Sequence, residues 1–233
     1  NSRSCQSNIP AKLFLRDSLL TDTITKINVK LMQVKDIRGT ANRITESQAL
    51  DDIELFELKS FSLLVMEIRQ LLLAARIDVV VLPDLEPVVN ILDPEKMRIP
   101  HFYVYDAYSE ELAALRAKMK ALKMDAKTED KQLDQLQFEH TMLEDRVREE
   151  LSTRIHPYKQ EINEAIAQVA TLDILLAKAK QAIEMRLCKP EITETVTRYK
   201  NIFNPQVKEV LRQEGKKFQA IDIDIAPGAC LIT

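Results

Sequence analysis

The feature that most constrains the fold is a pair of apolar heptad stretches in the second half of the chain. In the first stretch, leucine and methionine recur at steps of three and four residues from Leu112 to Leu122. In the second, the same spacing runs from Leu133 to Leu151, with His140 at one seam position. Such a seam is typical of α-helices that pack side by side as in a coiled coil. The weak junction at 123–130 predicts an antiparallel helical hairpin, and one uninterrupted helix is the alternative.

The composition favours helices elsewhere as well. The 233 residues include three glycines and no tryptophan, so few positions tolerate a positive φ. This argues against all-β folds with many tight turns and against glycine-rich nucleotide loops. We therefore predict a mainly α-helical protein, with a helical core bundle, a projecting antiparallel coiled-coil hairpin and a short β segment at the C-terminus.

Three further helices follow from the spacing of apolar residues and from the residues that end each run. They are predicted over residues 17–38, 47–75 and 158–187. Gly39 is expected to interrupt the first, and Pro157 to kink or restart the helical path before the last. Asp93 followed by Pro94 predicts the N-cap and first residue of a short helix in the proline-rich connection before the hairpin.

The last part of the chain changes from helical to strand-like spacing. Alternation from Phe218 to Ile225 predicts a strand, Pro227-Gly228 a turn, and residues 229–233 a second, fully apolar strand. Two strands at the end of a helical protein lack the neighbours that a stable sheet needs. Since the sequence also begins without methionine, we expect a piece of a longer protein whose next domain has been cut off.

Charge and cysteine content limit which binding partners and which cellular compartment the sequence predicts. The formal net charge of −3 provides no global attraction to nucleic acid, so any DNA contact would come from a local patch. Cys5, Cys188 and Cys230 are odd in number and form no C-x-x-C pair, which favours free thiols in a reducing cytoplasm. No run of about 18 apolar residues is present, so a membrane span is not predicted.

One local patch of positive charge lies near the predicted hairpin tip. Its members succeed one another at steps of four, three, four and four residues: Arg116, Lys120, Lys123, Lys127 and Lys131. If one helix runs that far, they form a stripe that could lie along a DNA backbone. The alternative, and the commoner outcome for such stripes, is a solvated face whose charges pair with acidic neighbours.

Three segments of the chain resemble the MutS family of DNA mismatch-repair ATPases. Residues 204–211 (NPQVKEVL), Phe218 and residues 227–233 (PGACLIT) resemble the segment that enters the ATPase domain, where a strand ending in Ile-Thr runs into a G-x-N-x-x-G-K-[ST] P-loop. This chain stops one residue short of that loop. Residues 51–59 resemble the core helical domain, and residues 170–179 resemble the helix that returns from the lever. The segments occur along the chain in the same order as in the family, and the resemblance as a whole covers roughly residues 30–233.

The resemblance implies a division of the chain into four parts. These are the first part of the helical core (1–108), a lever hairpin (109–156), the returning core helix (157–200) and the start of a truncated ATPase domain (201–233). Residues 123–130 are too few for the β-rich clamp that family members carry between the lever helices. The mismatch-reading domain is also absent, so the chain is nearer to the branch without mismatch recognition. Asn204 stands where the family often has histidine.

The resemblance also implies a mechanical function. Core and lever would couple the nucleotide state of a DNA-dependent ATPase to DNA binding, with ATP and Mg²⁺ held by the missing domain of the parent protein. Phe218 would stack on the adenine, although an ordinary strand hydrophobe is the alternative. The parent is expected to be a cytoplasmic homodimer, and the chain itself is not expected to be an enzyme, to hold a metal ion or to hold a cofactor.

A second function, from a different class, remains open. In this alternative the chain is a structural coiled-coil protein that dimerises through Leu133–Leu151 and does not touch DNA. His101, His140 and His156 are unclustered, and Asp222 and Asp224 are best explained as the solvent-facing side of an edge strand. We therefore predict no catalytic or metal-ligating residue in this chain.

Overall fold

The structure is a computed structural model that describes residues 18–124, 130–185, 191 and 197–225. Within these ranges the chain is mainly helical, as predicted, with a small antiparallel sheet near the C-terminus. The helices are α1 (Ser18–Leu31), α2 (Arg38–Thr45), α3 (Asp52–Ala74), α4 (Glu86–Leu92), α5 (Glu110–Met124), α6 (Asp130–Ile155), α7 (Lys159–Met185) and α8 (Pro205–Gln213), and the strands are β1 (Thr197–Ile202) and β2 (Ile221–Ile225). The described residues form two compact units, 18–176 and 177–225, which divide within α7.

The core of the larger unit is built around α3, which contacts both α1 and α4. Its start is fixed by a capping box, in which the Asp51 carboxylate accepts from the Glu54 N–H at 2.8 Å. The Glu54 carboxylate in turn accepts from the Asp51 N–H at 3.0 Å. Leu55, Leu58 and Ile68 on the inner face are almost fully buried. The carboxylates at the start of α3 therefore act through side-chain caps as well as through the helix dipole, and the helix begins five residues after the predicted start at Ser47.

The prediction that Gly39 interrupts the first helix is wrong. The helix ends at Leu31, eight residues earlier, and Gly39 is the second residue of α2. The Asp36 carboxylate accepts from the Arg38 N–H at 3.1 Å just before α2 begins. The apolar spacing that suggested one helix over 17–38 therefore extends across the connection, where Ile37 is buried without being helical.

The prediction that Asp93 caps a short helix is also wrong, because the short helix α4 lies before it and ends at Leu92. The Asp93 carboxylate is already used by other donors. It accepts from Lys59 Nζ at 3.0 Å and from the Arg98 N–H at 2.7 Å. It is therefore not available to cap a helix that would start at Pro94.

Lys59 and Asp93 form a buried ion pair, with 0% and 2% of their side chains exposed. Lys59 Nζ also donates to the carbonyl of His101 at 2.8 Å and to the Tyr105 hydroxyl at 3.2 Å, so all three of its protons have acceptors. Burial alone would raise the pKa of Asp93, but the hydrogen bonds from Arg98 and Lys59 outweigh it and lower that pKa. The pair fixes the connection after α4 to the middle of α3.

The joint between α6 and α7 is a three-residue 3-10 turn, His156–Tyr158, that contains Pro157. The prediction that Pro157 restarts the helical path is confirmed. The ring of His156 lies 2.7 Å from the carbonyl of Ile44 through Nδ1, which ties the joint to the end of α2. Ile162, in the first turn of α7, is fully buried. The two long helices are thus joined without an intervening loop.

The smaller unit contains an antiparallel pair of strands with α8 between them in sequence. In this pair Thr197 lies opposite Ile225, and Tyr199 opposite Ile223. The partner strand β1 was not predicted, and the predicted strand 229–233 lies outside the described residues. α8 begins at an N-cap, Asn204, whose side-chain oxygen accepts from the N–H groups of Gln206 and Val207 at 3.0 and 3.2 Å.

Burial distinguishes residues 197–225 of the smaller unit from the larger unit. None of the described side chains from 197 to 225 is buried, although the range contains two strands and a capped helix. Tyr199, Val207, Val210 and Ile221 are each about half exposed. Regular structure without a buried side chain lacks the apolar burial that stabilises a folded domain.

Candidate nucleic-acid interface

Helices α5 and α6 pack against each other and form the predicted hairpin. Leu115, Met119 and Leu136 form a buried cluster between them, and Leu122 and Leu143 pack partly buried against it. The alternative of one uninterrupted helix is therefore wrong. The heptad spacing identified these five seam positions correctly, because they pack between the two helices within the same chain.

The base of α6 is fastened to the segment that joins α2 to α3. The Leu50 N–H donates to Ser152 Oγ at 2.9 Å, and this contact is buried. Arg148 Nη1 donates to both carboxylate oxygens of Asp52, each at 3.1 Å. Burial would lower the pKa of Arg148, but its bonds to Asp145 and Asp52 outweigh it and raise that pKa. These contacts hold the base of the hairpin at the start of α3.

Arg116, the first residue of the predicted stripe, lies between the two hairpin helices. Its guanidinium donates to the Val104 carbonyl at 2.7 Å and to Asp106 Oδ1 at 2.5 Å. On α6 it donates to Glu144 Oε1 at 2.7 Å and to His140 Nε2 at 3.0 Å. Burial would lower its pKa, and the bonds to Asp106 and Glu144 outweigh burial and raise it. Because four of its five N–H donors have partners within the chain, Arg116 offers little to a phosphate.

The remaining stripe residues are divided between the two helices. Lys120 is exposed on α5, Lys123 lies in the last turn of α5, and Lys131 is the second residue of α6. The side chains of Lys123 and Lys131, and all of Lys127, lie outside the described residues. A stripe on one continuous helix is therefore wrong, because α5 ends at Met124. The hairpin instead brings the ends of α5 and α6 that carry these lysines to its turn.

One exposed cation on α5 was missed by the stripe spacing. Lys118 lies on α5 two residues after Arg116 and is exposed. It does not follow the three- and four-residue steps, so the sequence pattern omitted it. Lys118 and Lys120 are the described cations that α5 presents to solvent.

Phe218 lies between α8 and β2, three residues before the strand begins, and is half-buried. The prediction that it lies within the strand is wrong. The part of Phe218 that remains exposed fits an aromatic group that stacks on a base, and its neighbour Lys217 is exposed as well. Asp222 and Asp224, the carboxylates of β2, have partners in β1, where Asn201 N–H and Arg198 Nε donate to them at 2.8 and 2.9 Å.

The part of the chain that the structure describes contains no cluster of three or more His, Cys, Asp or Glu side chains placed to hold a metal ion. None of the described helices is long and apolar enough to cross a membrane. In comparisons with known proteins, no family model matches the chain, and no curated protein resembles it to a significant degree.

Proposed function

We propose that this chain is the core and lever region of a MutS-like DNA-repair ATPase, in which the α5–α6 hairpin couples nucleotide state to DNA. The observation that carries the proposal is the path of α6. This helix runs for 26 residues without interruption from the hairpin turn to the contacts of Arg148 and Ser152 at the core. A stiff helix fastened to the core at one end, and packed against a helix that carries the exposed cations Lys118 and Lys120, suits the transmission of movement.

The length of α6 sets the size of the movement that it can transmit. At 1.5 Å per residue, the 18 residues from the base contact at Arg148 to the start of α6 span about 27 Å. A rotation of about 10° at this base therefore moves the turn by about 5 Å, which is close to one turn of an α-helix. Such a displacement is large enough to make or break contacts with phosphates, whereas the same rotation shifts the residues beside the core very little.

The smaller unit supports the second half of the proposal. Because 197–225 has regular structure but no buried side chain, its half-exposed apolar residues suit packing against further protein. We propose that this further protein is the ATPase domain of a longer, homodimeric cytoplasmic parent. ATP and Mg²⁺ would be held by that domain, where ATP hydrolysis would supply the energy and Mg²⁺ would neutralise the phosphate charge, and Phe218 would stack on the adenine. This chain would not hydrolyse ATP by itself.

DNA binding by the hairpin turn is measured by fluorescence anisotropy with labelled duplex and branched DNA at low and moderate salt. We expect binding that weakens steeply with salt, because each lysine that neutralises a phosphate releases a counterion. The variant Lys120→Glu/Lys123→Glu/Lys127→Glu should lose this binding. Its matched control is a triple charge reversal of the same size on exposed lysines of the larger unit outside the hairpin, at Lys26, Lys35 and Lys96.

Two results would contradict the DNA contact. Equal loss in both triple variants would mean that only net charge matters, and the absence of binding at low salt would remove the contact altogether. Sedimentation of the same chain distinguishes the coiled-coil alternative. The seam between α5 and α6 is occupied within one chain, so we expect a monomer in dilute solution, whereas a structural coiled coil through Leu133–Leu151 requires a dimer.

A further inference from the structure

The strongest feature outside the lysines is the way Arg116 joins three separate segments. Two acceptors, Val104 and Asp106, lie in the connection that precedes α5, and two others, His140 and Glu144, lie on α6. We propose that Arg116 is a positioning residue, a clamp that fixes the direction in which the hairpin leaves the core. This clamp rests on the lever function proposed above and deepens it, since it would set where the turn points.

The role of Arg116 as a clamp depends on which of its guanidinium nitrogens faces each neighbouring element. Nη1 faces the connection before α5, whereas Nε and Nη2 face α6. A planar group with donors along several edges can join two elements at once, and only arginine among the side chains supplies it. A lysine at this position carries the charge but presents it at one point. The side chain is only 24% exposed, so water competes weakly for these donors.

The clamp lies well below the turn. Arg116 is eight residues before the end of α5, and His140 is ten residues after the start of α6. At 1.5 Å per residue the hairpin extends about 12–15 Å beyond the clamp. At the level of the clamp and beyond it, the seam cluster of Leu115, Met119 and Leu136 holds the two helices to each other. The seam therefore keeps the hairpin together, and the clamp ties it to the connection at 104–106.

The clamp also has a spectroscopic signature. Arg116 Nε lies 3.0 Å from His140 Nε2, and Glu144 Oε1 lies 3.4 Å from the same nitrogen. The ¹⁵N chemical shift of His140 Nε2 therefore reports whether the guanidinium is in contact with it. A residue that merely filled space at position 116 would leave that shift unchanged.

The experiment measures the direction of the hairpin by double electron–electron resonance between two spin labels on the full chain. One label is placed at Ala121 near the turn and the other at Gln70 on α3, both exposed, after serine replaces Cys5, Cys188 and Cys230. We expect Arg116→Ala to broaden the distance distribution at least twofold and to move the His140 Nε2 shift. We expect Arg116→Lys to broaden it less.

The matched control is Arg146→Ala on the same hairpin. Arg146 makes one ion pair across the hairpin, with Glu111 at 3.8 Å, and both side chains are more than 70% exposed. We expect this variant to keep the native distribution, because such a pair contributes little. If Arg116→Ala does not fold, Arg116→Lys carries the measurement.

A native distribution width in the folded Arg116 variants overturns the clamp, as does equal broadening by Arg146→Ala. The measurement contains no DNA, so its failure is distinguishable from failure of the proposed DNA-binding function. If the hairpin binds DNA but keeps its direction in Arg116→Ala, the proposed lever function stands and the proposed role of Arg116 as a clamp is refuted.

Discussion

Replacement of Lys59 by methionine tests the energetic role of the buried ion pair. Methionine fills nearly the same volume as the lysine stem, so the packing of α3 is preserved and the cavity contribution is small. The substitution removes the charge that faces Asp93, together with donors to the His101 carbonyl and the Tyr105 hydroxyl. The variant thus isolates the electrostatic part of the contact.

The expected cost depends on the burial of both partners. Asp93 is 2% exposed, so loss of Lys59 leaves a carboxylate in the interior with the Arg98 N–H as a remaining donor. Breaking a buried pair in this way costs about 3–5 kcal/mol. We therefore expect the free energy of unfolding, measured by urea titration at neutral pH, to fall by about that amount. Lys26→Met, at an exposed lysine of α1, is the matched control.

The pH dependence provides an independent check. The pKa of Asp93 lies below its ordinary value of 3.8, so its contribution to stability is present above about pH 4 and is lost as pH falls through the folded-state pKa. In Lys59→Met the carboxylate loses its cation and should accept a proton more readily. The difference in free energy of unfolding between the variant and the native protein should therefore become smaller as pH falls.

The double variant Lys59→Met/Asp93→Asn removes the uncompensated charge. We expect it to be more stable than Lys59→Met alone at neutral pH, because no ionised group then remains buried without its partner. A loss below about 1 kcal/mol for Lys59→Met, or a loss independent of pH, would refute the reasoning.

Three further perturbations test local features of the larger unit by urea or thermal unfolding. Asp51→Ala removes the N-cap of α3 and should cost about 1 kcal/mol, and an unchanged midpoint would contradict the cap. Ser152→Ala leaves the buried Leu50 N–H without its acceptor and should cost about 1–3 kcal/mol, whereas Thr153→Ala, at an exposed neighbour, should cost much less. Gly39→Ala should stabilise α2 by about 0.5 kcal/mol, because a Cβ there meets nothing within 4 Å; destabilisation would mean that α2 needs the glycine.

The hairpin could be predicted because its information is local and periodic. The steps from Leu112 to Leu122 and from Leu133 to Leu151 determine which face of each helix is apolar, and two such faces in sequence pack together. The cap of α3 is also local, since Asp51 and Glu54 act within one helical turn, although the apolar spacing predicted a start at Ser47, five residues too early. The ends of the helices were harder to predict from the sequence, as Gly39 illustrates, because helix propensity is a weak preference that tertiary contacts override.

The partners of charged residues could not be predicted in the same way. Lys59 pairs with Asp93 across 34 residues of sequence, and Arg116 pairs with Glu144 across 28 residues. The spacing along one helix predicted Arg116 in an exposed stripe. In the structure its guanidinium instead donates to Val104 and Asp106 in the connection before α5. One signal for Lys59 was present, since Leu55, Leu58 and Leu63 around it mark the apolar side of α3.

Strand β1 escaped prediction for a different reason. The segment Thr197–Ile202 is polar at most positions and lacks the alternation that identified β2. Its strand conformation depends on pairing with β2, in which Arg198 lies opposite Asp224 and Tyr199 opposite Ile223. A strand specified by cross-strand pairs carries little signal in its own sequence.

The short joint between α6 and α7 has a consequence for how sequences of this kind can change length. Each residue added to a helix rotates the rest of that helix by about 100°. A single insertion or deletion within His156–Tyr158 would therefore rotate α7 and carry Ile162 and Ala165 away from the core that buries them. Substitutions around the joint are compatible with the fold, but changes in its length are not. Among homologous chains, this three-residue joint should therefore be free of insertions and deletions even where the amino acids differ.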